Sequence, residues 1–226
     1  MSVYAVLEQL TAYATGPEAT DEILKAKTDF FAETGEVRED ERQYEARMAA
    51  FLDHYLVARA SGSPPRTPAE RFLAERGAAL PPEERAAALG LTRTLQGLYE
   101  VLAVGQGEVT VLDLLHDERL RVIERRNLAG LNAGDLVETR LIPIEAGAYA
   151  FSNAFIYHPR EARPAIQREI KRRRARGQKL GRPFVCELAR MSLKVDRYKK
   201  IPIAAIYSFE RPSFPAHGPP EIERDT

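Results

Sequence analysis

LYEVLAVGQGEVTVLDLLHDERLRVIE, residues 98–124, decides how this chain folds. Before Gly97 apolar residues recur every three or four positions; from Leu98 they alternate, the period of a half-buried strand. The runs 98–104 and 109–115 flank GQGE, a hairpin signal, and 120–124 follows the polar turn HDE. Farther on, LVETRLIPI (136–144) meets YAFSNAFIY (149–157) across EAGA. AGLNAGD (129–135) between them reads as a short loop or one helical turn. Five short strands in about sixty residues bury one face by curling into a small antiparallel barrel, SH3-like or OB-like. An open sheet covered by helices is the competing geometry.

Upstream, the chain reads as helices. Val3, Val6, Leu7 and Leu10 share a face, and Gly16-Pro17 ends that element. A second helix starts near Asp21 and stops at Gly35. A third, from about Glu39 to Ala60, stripes Tyr44, Met48, Phe51, Leu52, Tyr55 and Leu56 along one side. After the turn SGSPPR, Thr67-Pro68-Ala69-Glu70 forms a capping box with proline at the first helical position. Pro81-Pro82-Glu83-Glu84 opens a last short helix.

Downstream, two helices are expected, 159–176 and 184–199, then a strand over IPIAAIYSF (201–209) and a disordered proline-rich tail. The fold class is therefore α+β. Its expected division is a helical domain (1–96), a small five-stranded β-domain (97–158), a basic section of helices and one strand (159–210), and a tail (211–226).

Composition excludes several classes. No run of about 18 apolar residues is present, so no membrane partner is expected. The N-terminal stretch lacks a basic n-region, and Glu8 interrupts its apolar part, so it makes a poor signal peptide. Cys186 is the single cysteine, which rules out an internal disulfide and a cysteine-rich zinc site. The cytoplasm is the expected location.

Net neutrality hides a segregation of charge. Residues 160–200 hold fifteen Lys and Arg against four acids, about +11, whereas residues 1–159 hold sixteen against twenty-five, about −9. Such a block either meets an anionic partner or folds against acidic surface. On the first reading Arg168, Lys171, Arg172, Arg173, Arg174, Arg176, Lys179, Arg182, Arg190, Lys194 and Arg197 contact nucleic-acid phosphates, with RNA favoured over DNA by the neighbouring small barrel. On the second the chain is a protein–protein adaptor whose basic helices are docked.

Catalytic patterns are thin. His54 beside Asp53 reads as a surface or half-buried helix residue. Asp113, His116 and Asp117 could place two carboxylates near one imidazole, as a metal-dependent hydrolase would need, but they fall at a hairpin turn where polar residues are expected anyway. His158 precedes a proline, and His217 lies in the tail. Cys186 reads as a small buried thiol. No G-x-S-x-G elbow or phosphate-binding glycine loop occurs. The expectation is a non-enzymatic binding protein with neither cofactor nor metal.

The stretches Glu100–Val104, Val109–Leu115, Arg121–Arg125 and Gly134-Asp135 through Pro143 resemble a group of uncharacterised bacterial proteins. In these a helical N-terminal part precedes a small β-domain, and some carry a SEC-C-type metal-binding tail. The resemblance spans about residues 28–160 and implies fold, not activity. The Cys/His tail is absent here, so no zinc is implied.

Overall fold

β1 (Leu95–Val104) is the strand on which the barrel closes. A computed structural model describes residues 3–124, 126 and 130–209 of the chain. In it the first half of β1 pairs with β4 (Leu136–Glu145), from Leu95↔Leu141 to Glu100↔Leu136. The second half pairs with β2 (Glu108–Asp113), and the register shifts between Val101 and Ala103. β3 (Glu118–Ile123) and β5 (Ala148–Phe151) complete a ring in the order β1-β2-β3-β5-β4 and back to β1. Gly107, at φ 74°, makes the β1–β2 turn, a backbone state that favours glycine.

The expected α+β barrel is present, with two differences. It is not wholly antiparallel, because β3 and β5 run parallel. A closed ring of five strands cannot alternate direction all the way round, so at least one pair must be parallel. The ring is a closed five-stranded mixed barrel with β6 as one extra strand. Second, the strand expected over 149–157 breaks in two. β5 ends at Phe151, and a kink follows. Thr139 Oγ1 donates to the Ala154 carbonyl at 2.7 Å, and the Ser152 hydroxyl accepts from the Ala154 amide at 3.3 Å. Pairing resumes as β6 (Ile156–His158) on the start of β4.

The barrel interior is filled by Tyr99, Val101, Val111, Val122, Leu141 and Phe151, all buried. Its outside is covered on two sides. The N-terminal helices α1 (Val3–Ala14), α2 (Thr20–Thr34), α3 (Tyr44–Val57), α4 (Pro68–Arg76) and α5 (Pro82–Leu91) form one core that takes in Ile142 and Ala150 of the barrel. The helices α6 (Arg163–Ala175), α7 (Arg182–Arg197) and α8 (Ile203–Ile206) form another with Leu98, Leu114 and Leu136. Packing thus runs across the expected boundaries after residues 96 and 158.

Local chemistry accounts for the helix ends. At α4 the Thr67 hydroxyl accepts from the Glu70 amide at 3.2 Å, and the Glu70 carboxylate accepts from the Thr67 amide at 2.7 Å, the full capping box. Gly90, inside α5, lets the helix lie on β4. A Cβ there would sit 2.2 Å from the Pro143 carbonyl oxygen. IPIAAIYSF is not a strand. Pro202 starts the turn α8 instead, its carbonyl accepting from Ala205 at 2.9 Å. The tail 211–226, with His217, lies outside the described residues.

Arg47 of α3, only 1% exposed, ties three helices together. It donates to the Gln43 side chain at 3.1 Å, to the carbonyl of Thr34 at the end of α2 at 3.0 Å, and to the carbonyl of Ala189 in α7. Removing it takes a donor from all three acceptors and leaves a cavity where the helices meet. Arg47→Ala is therefore expected to lower unfolding free energy by about 3–5 kcal/mol in urea titrations. Gly90→Ala, which forces α5 off β4, is expected to cost about 1–3 kcal/mol by the same measurement.

Candidate functional site

The C-terminal helices carry the basic block, and the structure divides it. Arg173 donates to Glu169 at 2.6 Å and to Glu187 at 2.7 Å, while its guanidinium lies 4.6 Å from the Phe184 ring centroid. Arg172 shares Glu169, at 2.6 Å. Arg174 donates to the carbonyls of Leu114 and Leu115 at 3.4 and 3.0 Å. On α7, Arg182 binds Glu33 at 2.6 Å, Arg190 donates to the Glu33 carbonyl, and Arg197 binds Glu41 at 2.8 Å and the Glu36 carbonyl at 2.6 Å. The hydrogen bond from Arg197 holds the Glu41 carboxyl down to about 2. Arg163 likewise pairs with Glu100, at 2.6 Å.

Arg163 and Arg174 tie α6 to the barrel, Arg182, Arg190 and Arg197 tie α7 to the end of α2 and the turn after it, and Arg173 ties α6 to α7. A different set faces outward. Arg168 and Lys171 on α6, and Arg176 and Lys179 just beyond it, are exposed, and their side chains make no ion pair or hydrogen bond among the described residues. Lys194 on α7 is half-buried and equally unpaired among them. Arg168 and Lys171 lie three residues apart and share one side of the helix.

The described histidines and the cysteine have structural partners. Asp113 Oδ1 accepts from the amides of Leu115 at 2.8 Å and His116 at 3.2 Å, and Oδ2 meets His116 Nδ1 at 2.8 Å. Both oxygens are engaged in closing the β2–β3 turn, where Asp117 takes φ 60°. His54 stacks on Phe30, and its Nδ1 faces Arg182 at 3.2 Å; burial and that neighbouring charge push it down to about 3, so it is neutral. Cys186 is buried, and burial raises its thiol to about 11. A thiol in that state is a poor nucleophile.

Charge is also buried where α3 meets the barrel. Glu138, on β4, lies against His158 of β6, Oε2 to Nε2 at 4.0 Å, and both of those atoms lack a hydrogen-bond partner among the described residues. His158 Nδ1 pairs with the Tyr207 hydroxyl at 2.8 Å. Burial pushes Glu138 up to about 7 against the pull of Arg47, and pushes His158 down to about 3. Asp53, one turn along α3 from Ala49, is 8% exposed, and its Oδ2 is also unpartnered. Burial raises it to about 6 against a Ser152 hydrogen bond and the charge of Arg140. Asp53 and Glu138 both line a cavity of about 20 Å³. Asp53 also lines a cleft of about 670 Å³ between α1 and α3. Adjacency to His54 drew attention to Asp53 in the sequence, but nothing local marks Glu138 as buried. Its place in LVETRLIPI suggests an outward-facing acid.

A family of unknown function, DUF7986, matches residues 21–181. The chain belongs to this family. The match runs from α2 through the barrel to the loop after α6, so it takes in Asp53, Glu138 and the outward cations of α6. Comparison with curated proteins and with solved structures gave no match.

Glu138 binds its proton more tightly folded than unfolded. Its contribution therefore favours folding at low pH and is lost as pH rises from its ordinary 4.5 to about 7. Glu138→Gln removes that dependence. Its stability relative to the parent chain is expected to climb between pH 5 and pH 7 and to level off above, as read by urea unfolding at each pH. A constant difference would show that Glu138 ionises normally.

Proposed function

We propose that the chain is a non-enzymatic binding protein whose α6 face takes a nucleic-acid backbone, RNA before DNA. One observation carries this reading: after internal pairing, Arg168, Lys171, Arg176 and Lys179 remain exposed and without a carboxylate partner among the described residues. Arg174 adds a fifth charge, because its partners are neutral carbonyls. Arg168 and Arg176 are eight residues apart, about 12 Å along a helix, a length over which one strand of a duplex presents three or four phosphates. An OB-like barrel beside the helix suits single strands. The remaining arginines of the block position this face and are not themselves the contact.

A second reading has its own support. Arg182, Arg190 and Arg197 dock α7 on the acidic end of α2 and the turn after it. On that reading the basic helices are a clamp and the chain is a protein-binding scaffold.

Filter binding of single-stranded RNA separates the two. Neutralising four phosphates weakens affinity about 50- to 150-fold between about 50 and 200 mM salt. Arg168→Glu with Lys171→Glu is expected to abolish retention, while Arg85→Glu on α5 leaves it unchanged. No retention at the lower salt ends the nucleic-acid reading. A single protein that stays bound after nuclease treatment supports the scaffold.

A further inference from the structure

His158 of β6 is the diagonal neighbour of Glu138 on β4, since Leu136 pairs with His158 and Glu138 with Ile156. Carboxyl Oε2 and ring Nε2 lie 4.0 Å apart, about 1 Å beyond hydrogen-bond range. Neither atom is open to water, so a bridging water has no access to either, and neither has a partner among the described residues. The two atoms are complementary instead: one proton between them satisfies both. We propose that Glu138 and His158 share a proton across this gap, and that its loss to solvent reverses the hydrogen bond between His158 and Tyr207.

With Glu138 neutral, its O–H donates to Nε2, the ring proton sits on Nδ1, and Nδ1–H donates to the Tyr207 hydroxyl, 2.8 Å away. With Glu138 ionised, the ring proton sits on Nε2 and donates to the carboxylate, and the Tyr207 O–H donates to the bare Nδ1. One proton leaves the group, and the imidazole changes tautomer without becoming cationic. Burial supports each part of this cycle. It lifts the Glu138 carboxyl to about 7, holds His158 down to about 3 and raises the Tyr207 phenol above its ordinary value. Only the carboxyl then changes charge near neutrality.

The surroundings set the balance between the two states. Arg47 of α3, Arg140 of β4 and Arg182 of α7 each favour the ionised carboxylate, and Gln96 of β1 donates to it. Asp53 of α3 lines the same small cavity as Glu138 and opposes its ionisation when itself charged. Asp196 of α7 acts on Tyr207 and helps to keep the phenol protonated. Cys186 of α7 is neutral, its thiol raised to about 11. The hydrogen bond that joins the C-terminal segment to β6 therefore takes its direction from an acid on β4.

The test is nitrogen-15 NMR of the full chain labelled in its histidine rings, with His158 identified through its bonds to the backbone. A protonated ring nitrogen and a bare one give distinct signals. At about pH 5 the His158 proton should sit on Nδ1, and at about pH 8.5 on Nε2, the exchange centred near pH 7. Glu138→Gln cannot ionise. Gln96 donates to its oxygen, which leaves its amide nitrogen facing Nε2, so the ring should keep its proton on Nδ1 at both pH values. The proposal is overturned if the parent ring shows one tautomer at both pH values, if it is doubly protonated at about pH 5, or if the change survives in Glu138→Gln. Where the variant does not fold, the parent spectrum alone decides.

Discussion

Five strands closed into a ring cannot all run antiparallel to their neighbours, and that parity constraint organises the molecule. β1 must serve two partners, β4 with its first half and β2 with its second. The parallel contact then falls between β3 and β5, whose register is short, Arg121↔Ala148 and Val122↔Tyr149. Once the interior is sealed by Tyr99, Leu141 and Phe151, the apolar residues left outside need cover. Ile142 and Ala150 are covered by the N-terminal helices, Leu98 and Leu136 by the C-terminal ones. The barrel is therefore a hub between two helical layers that also meet each other, through α2 and α7.

At that meeting point charge replaces hydrocarbon. Arg47 reaches across from α3, and Arg182, Arg190 and Arg197 reach back from α7 to Glu33, Glu36 and Glu41. The exposed pairs among these are individually weak, but Arg47 is desolvated and reaches acceptors at three helices. Part of the segregation of charge along the chain is the two halves of one interface. The unpaired remainder on α6 is what sets an outward face apart from a purely internal one.

The hairpins, the capping box at Thr67 and the amphipathic α7 were legible in the sequence, because turn chemistry and hydrophobic period are local properties. The kink at Ser152 was not. YAFSNAFIY alternates well enough to be one strand, and only Thr139, on another strand, bonds to the carbonyl that breaks it. The IPIAAIYSF segment is β-branched and apolar, yet it becomes a helical turn that starts at Pro202. The same limit applies to the buried polar groups. Asp53 and Glu138 read as ordinary surface acids, and their depth depends on which helix lands on which strand. Of the eleven basic positions, nothing local told Arg173, which pairs twice, from Arg168, which makes no pair among the described residues.

Tyr207 is buried against His158, at the far end of the chain from the strand it supports. β6 is only three residues long, and its pairing to β4 is completed from behind by a side chain that emerges some fifty positions later. During synthesis the ring can form before this brace is made, and until it arrives His158 Nδ1 lacks its hydroxyl partner. Trimming the chain just before Tyr207 would thus uncover a buried imidazole on β6 and not just shorten the C-terminus.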